Sequence, residues 1–176
     1  SQYQSAGMAI NGHGHKLSYG SPWAWINQAV ATISPTKGNG ESSRVTFTDV
    51  PGGVHIQGLN PGLDPNSVHG LHIHQYGDQT STDGSSAGGH YIPEGEPHVS
   101  TQSAMHHAGD LGNITADASG MAMIDMTAKG ITVAGMHDPV LGRGVVIHAK
   151  ADDMHTQPTG NAGGRIGVGV IGVAKE

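Results

Sequence analysis

Apolar and polar residues alternate along much of the chain, which is the period-two pattern of β-strands with one buried face. In the first part of the chain the alternation is clear over Gln28–Ser34, Arg44–Val50 and Gly53–Leu59. Turn-forming residues separate these segments, namely a Pro-, Gly- and Asn-containing stretch at 35–40 and the Pro51-Gly52 pair. This part of the chain therefore predicts antiparallel strands joined by short turns.

The alternation continues to the end of the chain, with one long interruption. Further strands are expected at Val68–Tyr76, Asp110–Ala116, Met121–Thr127, Arg143–Ala149 and Arg165–Val173, with a short strand at Ile131–Val133. Residues 77–109 are rich in Gly, Ser and Pro and are expected to form one long loop, a feature that usually has a function. We expect an all-β fold, an eight-stranded antiparallel Greek-key barrel or sandwich.

The first candidate chemistry lies on the fourth of these strands. His72 and His74 are two residues apart, so both project from the same face of the strand. Neutral imidazole is a suitable ligand for copper, zinc and nickel. A lone His-x-His pair is equally well explained by two solvent-facing histidines, so the remaining histidines decide the interpretation.

A second group of potential ligands lies in and just after the long loop. It consists of His90, His98, His107 and Asp110. Three imidazoles and one carboxylate make a four-ligand set of the structural zinc type. Zinc would hold together a loop that has too little apolar surface to fold unaided.

A third candidate lies at the end of the apolar run 144–147, where His148 follows, with Asp152 a few residues later. Together with His72, His74 and one histidine shared with the zinc set, His148 makes a second candidate metal cluster.

These motifs together resemble the copper/zinc superoxide dismutases. The resemblance covers roughly residues 28–173 and is carried, in family order, by Gly70–His74, Ser86–Tyr91, His107–Asn113, Gly142-Arg143, His148–Asp153 and Thr159–Arg165. It implies that His72, His74 and His148 bind copper and that His90 bridges copper to zinc. It also implies that the zinc site is completed by His98, His107 and Asp110.

The resemblance implies roles for three further residues and for His90. Asp152 would tie a copper histidine to a zinc histidine, and Arg165 would receive the superoxide anion beside copper. Lys150 would guide anions, and His90 would carry the proton that leaves with the peroxide. Copper would alternate between two oxidation states, which zinc cannot do.

Two departures from the family pattern bear on activity. The chain has no cysteine, and the positions of the family's disulfide are occupied by Gly84 and Val168. The segment Met154–Pro158 is shorter than in typical members and lacks the charges credited with steering superoxide. We therefore expect dismutation that is slower than in typical members.

Composition limits the classes of partner. The formal net charge of −6 argues against nucleic acids and anionic membrane surfaces, and no apolar run approaches the about 20 residues of a membrane span. We expect residues 1–26 to form an N-terminal arm and residues 27–176 to form the dismutase-like domain. The chain begins at Ser1, which is expected of a processed mature end, although a cloning boundary would look the same. An extracellular homo-oligomer is the form that we expect.

A rival hypothesis is an extracellular metal-binding or storage protein on the same fold. The chain has 13 histidines, a histidine-containing arm and no cysteine, and in this it resembles the dismutase-like proteins of mollusc haemolymph. In the arm, His13 and His15 are better explained as a solvated tail than as a metal site.

Other residues of interest have structural explanations. Asn113-Ile114-Thr115 is a glycosylation sequon, although a structural role for Asn113 is the stronger interpretation. His69 is expected to bond nearby backbone, and His55 to face solvent. Core filling, rather than copper binding, is expected of the methionines at 105, 121, 123, 126 and 136.

Overall fold

The computed structural model describes residues 22–40, 42–91, 108–156 and 159–175. The predictions made for His13, His15, His98, His107 and Met105 lie outside these residues. No helix among the described residues is long and apolar enough to cross a membrane.

The fold is a nearly closed antiparallel β-barrel. Its strands are β1 Gln28–Pro35, β2 Ser43–Val50, β3 Gly53–Asn60, β4 Val68–His74, β5 Asp110–Thr115, β6 Ala122–Lys129, β7 Gly144–His148, β8 Arg165–Val170 and a two-residue β9, Gly172–Val173. The eight main strands are hydrogen-bonded in the order β5-β4-β7-β8-β1-β2-β3-β6, and β9 adds to β1. The end strands β5 and β6 meet at a bridge between Ala116 and Ala122. The predicted eight-stranded Greek-key barrel is confirmed.

The core fills the barrel because alternate residues of each strand point inward. On β1 the inward residues are Ala29, Ala31 and Ile33, and on β2 they include Val45 and Phe47, all at most 1% exposed. Each large apolar side chain buried in this way contributes about 1.5–3 kcal/mol relative to an exposed one.

The strands β4 and β7 differ from the others because both of their faces are covered. Leu71 and Ile73 of β4 belong to the main core, so His72 and His74 project from the opposite face. On β7, Val146 packs with Ala87 and Val168 in a separate buried cluster. This small cluster fixes the loop over the histidine-bearing face.

The described first part of the loop, residues 77–91, has more local structure than expected, and β4 is shorter. The loop contains a 3₁₀ turn at Ser85–Ala87. The strand β4 ends at His74 instead of Tyr76, because the next two amide groups turn to the loop: Gln75 N donates to Gly89 O, and Tyr76 N donates to Ala87 O.

Two further predictions are wrong. Ile131–Val133 is not a strand but a single bridge between Thr132 and Pro139, because the carboxylate of Asp49 accepts the hydrogen bond of Val133 N. Of the described methionines, Met126 packs against the core, but Met123 and Met136 are 71% and 68% exposed. Met123 lies on β6 in phase with exposed Asp125, so it faces outward.

Candidate metal centre

Four histidines from three parts of the chain meet on the covered face of β4. His72 and His74 come from β4, His148 ends the neighbouring strand β7, and His90 reaches the site from the loop through a bridge to His74. One ring nitrogen of each residue lies within 4.8 Å of those of the other three, and all four side chains are buried. The structure thus brings together the four residues predicted as copper ligands.

Each strand histidine is oriented by a hydrogen bond on its outer nitrogen. His74 Nδ1 donates to Gly88 O at 2.9 Å, and His148 Nδ1 donates to Gly163 O at 3.1 Å. These bonds turn the two Nε2 atoms toward each other, 3.2 Å apart. Metal–nitrogen bonds of about 2.0–2.1 Å place ligand nitrogens roughly 3–4 Å apart, so the spacing fits a shared metal ion.

Burial keeps these imidazoles in the form that binds metals. Desolvation is the main cause that lowers the pKa of His74 from 6.5 to about 2 and that of His148 to about 3. The pKa of His72 is also lowered, again mainly by desolvation, although its hydrogen bond to Asp152 opposes the shift. All three rings are therefore neutral at pH 7, as a metal ligand must be.

His90 lies between this cluster and a carboxylate. Its ring centroid is 3.9 Å from that of His72, and its Nδ1 is 3.0 Å from Oδ1 of Asp110, the first residue of β5. A ring that presents one nitrogen to a histidine cluster and the other to a carboxylate can bridge two metal ions. His98 and His107 lie outside the described residues, so the four-ligand zinc set stays a prediction.

Asp152 orients His72 from outside the cluster. This carboxylate is 3% exposed, and its Oδ2 is 2.7 Å from His72 Nε2, which leaves Nδ1 as the nitrogen that faces the other histidines. Its Oδ1 accepts a hydrogen bond from Met154 N at 2.7 Å. Carboxylates in this position fix the orientation of metal-bound histidines.

Asn113 has the structural role that the sequence favoured, and its partner, which the sequence did not indicate, is Asp152. Asp152 N donates to Asn113 Oδ1 at 2.8 Å, and Asn113 Nδ2 donates to Asp152 O at 3.0 Å. The amide of this sequon is thus occupied inside the fold. His69 provides a similar support, since its Nδ1 donates to His148 O at 2.7 Å.

Arg165 begins β8 and is half-buried beside the cluster. Its Nη1 donates to Gly84 O at 2.8 Å, and its positive charge helps to lower the pKa of both His74 and His148. The guanidinium therefore lies within electrostatic range of these histidines, and its role as the anion-receiving residue stays a prediction.

The two residues at the predicted disulfide positions are neighbours. A Cβ built on Gly84 would lie 2.8 Å from Cγ2 of Val168, and Gly84 has a left-handed φ of +83°. In place of a covalent bond, the loop is anchored by the Ala87–Val146–Val168 cluster and by a hydrogen bond of 2.6 Å from Gln79 Nε2 to Val168 O.

Lys150 lies at the border of the site. Its side chain runs along Gly163, where a built Cβ would lie 3.0 Å from Lys150 Cε. The following turn is organised by Asp153, whose carboxylate accepts hydrogen bonds from the hydroxyl of Thr156 and from the backbone of Thr156 and His155. These bonds, the hydroxyl's first among them, lower the pKa of Asp153 to about 2. His55, by contrast, lies away from the cluster and pairs with Asp125 at 2.8 Å on β6.

Two comparisons with known proteins bear on this site. Residues 41–171 match the family model described as copper/zinc superoxide dismutase (SODC). The chain is also similar to a solved structure titled as the clock protein EA4, with 38% sequence identity, a TM-score of 0.76, and coverage of 85% of this chain and 96% of that chain. The family match spans most of the chain and includes every described residue of the four-histidine cluster, and so the chain belongs to the copper/zinc superoxide dismutase family.

Proposed function

We propose that the protein converts superoxide into dioxygen and hydrogen peroxide at a copper ion bound by His72, His74, His90 and His148. The observation that carries this proposal is the convergence of four buried imidazole nitrogens within 4.8 Å of one another, next to the guanidinium of Arg165. Imidazole-rich sites suit copper, and a half-buried permanent cation beside such a site suits a small anion.

The chain's own residues divide the work of such a reaction. Copper, when bound, supplies one-electron oxidation and reduction. Arg165 attracts and orients the anion, while its bond to Gly84 O keeps the guanidinium in place. His90 can take up a proton at Nε2 and release it to the departing peroxide, because its Nδ1 is engaged on the Asp110 side.

Zinc is the second metal of the proposal, bound by His90, His98, His107 and Asp110. The two described members of this set, His90 and Asp110, are both buried and lie in contact. This supports a metal site, because a bound zinc ion would compensate the buried negative charge of Asp110. Zinc would fix the Nδ1 side of His90 and the ends of the loop 77–109.

A second candidate function is metal binding or storage without significant dismutation. It is favoured by the solved structure described above, whose title names a clock protein on this fold. It is also favoured by the composition of the segment 154–158, in which His155 is the one residue that can carry a charge. Binding of copper supports both candidates, so only the rate with superoxide separates them.

Pulse radiolysis of the copper- and zinc-loaded protein tests the proposal. We expect superoxide to decay far faster than in buffer with matched free-metal controls. Arg165→Ala should lower the rate by about ten- to a hundredfold without loss of copper, because a charge-assisted contact contributes about 1.5–3 kcal/mol and Arg165 is not a ligand. Decay no faster than in buffer with fully loaded protein would leave the storage function as the better explanation.

A further inference from the structure

A shallow depression of about 540 Å³ opens beside Arg165. Three parts of the chain line it: the turn after β1, the loop before the 3₁₀ turn, and the start of β8. Its lining residues are Thr36, Lys37, Asn39, Thr82, Asp83, Ser85, Gly163, Gly164 and Arg165.

The turn after β1 is firmly attached to the Arg165 segment. Thr36 Oγ1 donates to Arg165 O at 2.8 Å, and Thr36 N donates to Ile166 O at 3.0 Å. The next residue, Lys37, donates its N–H to Thr82 O at 3.2 Å. Lys37 is exposed, so its ammonium group extends into solvent from a backbone fixed at the rim of the depression.

Four charged side chains face or border this depression. Lys37 and Arg165 are cationic, Asp83 is anionic and exposed, and Lys150 borders it along Gly163. Asp83 lies close enough to act electrostatically on Arg165, and Arg165 in turn acts on His74 and His148. Arg165 therefore belongs both to the lining of the depression and to the surroundings of the four-histidine cluster.

We propose that Lys37 guides small anions along this depression to Arg165, beside the metal centre, and that Asp83 opposes it. This inference rests on the proposed function, because superoxide is the anion that would be guided. It assigns the guiding role to the turn after β1, whereas the segment 154–158 contributes no lysine or arginine. A protein of net charge −6 attracts an anion only where local positive charge outweighs its overall field.

The test is the affinity of azide for the Cu(II), zinc-loaded protein, followed by optical titration at low and high ionic strength. One unit charge at roughly 10–15 Å in water changes anion binding by about 1.5- to 2-fold, and salt at about 0.5 M screens the effect. We expect Lys37→Gln to weaken azide binding by about that factor at low salt and Asp83→Asn to strengthen it. An asparagine at 83 keeps an oxygen that can accept the hydrogen bond of Ser85 N.

Two control variants make the result specific. Lys129→Gln removes an equal charge at the far end of β6 and should leave azide binding unchanged, and Lys37→Arg should behave as the native chain does. Equal azide affinities for Lys37→Gln, Asp83→Asn and native protein at low salt would overturn the proposal, whatever the rate with superoxide. If the affinities shift as expected while superoxide decays no faster than in buffer, the guiding surface stands and the proposed dismutation is wrong.

Discussion

The two sides of the metal centre are built in different ways. On the side proposed to bind copper, His72, His74 and His148 lie on adjacent strands of the sheet, and backbone carbonyl groups or Asp152 fix the outer nitrogen of each ring. On the side proposed to bind zinc, Asp110 begins a strand, whereas His90 lies in the long loop, which a bridge to His74 and the hydrogen bonds of Gly89 and Tyr91 hold to β4. One side is positioned by the sheet, whereas the other depends on a loop.

This difference indicates how each metal relates to folding. A set of ligands that the sheet already holds in place is preorganised, so copper binding should add affinity without creating structure. A loop with few buried apolar groups gains its order from ligation, so zinc binding should contribute to folding itself. The predictions that follow test this contrast, beginning with the largest expected effect.

Replacing one ligand on each side should have opposite consequences for fold and activity. His148→Ala should abolish copper binding and dismutation while the zinc content and the resistance of the loop 77–109 to protease stay near native. Asp110→Asn should lower zinc content and make the same loop cleavable. Metal analysis and limited proteolysis of both variants measure this, and protease resistance that is the same in both would contradict the contrast.

Thermal stability should depend on metals and not on thiol reagents. A ligand at a hundredfold excess over its dissociation constant stabilises the folded state by about 2.7 kcal/mol, and the chain has no cysteine for a reductant to act on. A zinc chelator should therefore lower the melting temperature by several degrees, while dithiothreitol leaves it unchanged. An unchanged melting curve in chelator would show that zinc is not part of the folded loop's stability.

Strand periodicity, a local property, placed two of the histidines on one face, and the resemblance to the dismutase family implied the complete ligand set. His72 and His74 share a face by their spacing alone, and His148 follows directly from an apolar run. The bonds that orient them depend on carbonyl groups of Gly88 and Gly163, which approach only when distant segments fold together. Nothing in the spacing of Asn113 and Asp152 indicates their reciprocal hydrogen bonds, since 39 residues separate them.

The errors in the fold prediction also have physical causes. The segment 131–133 has the composition of a strand, but the carboxylate of Asp49 satisfies the amide of Val133 in place of a neighbouring strand. Met123 is apolar yet lies on the outward face of β6, one position out of phase with buried Ile124. Correct phase along the strand, rather than residue type, would have identified it as exposed.

The metal-free protein should lose stability in mild acid because of the copper-side histidines. The folded-state pKa of His74 is about 2 and that of His148 is about 3, whereas both unfolded values are near 6.5. Their neutral forms therefore favour folding above pH 6.5, and that contribution is lost as the pH falls toward these low values. In this pH window each histidine should lower the free energy of unfolding by about 1.4 kcal/mol per pH unit, and residual solvation of the ring reduces this figure.

Urea unfolding of the metal-free protein at pH 7.0, 6.0 and 5.0 measures this loss. His74→Gln and His148→Gln variants, also without metal, should each show a shallower dependence on pH than the native chain. His55→Gln is the matched control, because His55 lies on the exposed side of the barrel. A native unfolding free energy that does not change between pH 7.0 and 5.0 would contradict the burial argument.

The smallest expected effect concerns Asn113, and it separates two explanations of the same residue. As a sequon, Asn113 would carry a glycan; in the structure its amide is used by both hydrogen bonds to the backbone of Asp152. Asn113→Ala would loosen Asp152 and so the ring of His72, and partners outside the metal ligands typically change metal affinity by about 10–100-fold. Because Asn113 acts one step further away, we expect copper affinity to fall by about tenfold or less.

Thr115→Ala destroys the sequon but keeps the amide of Asn113, since Thr115 is exposed at the end of β5. Competition with a copper chelator should therefore distinguish Asn113→Ala from native protein and leave Thr115→Ala equal to it. If both variants weakened copper binding equally in protein from a glycosylating host, the glycan rather than the hydrogen bonds would be the cause.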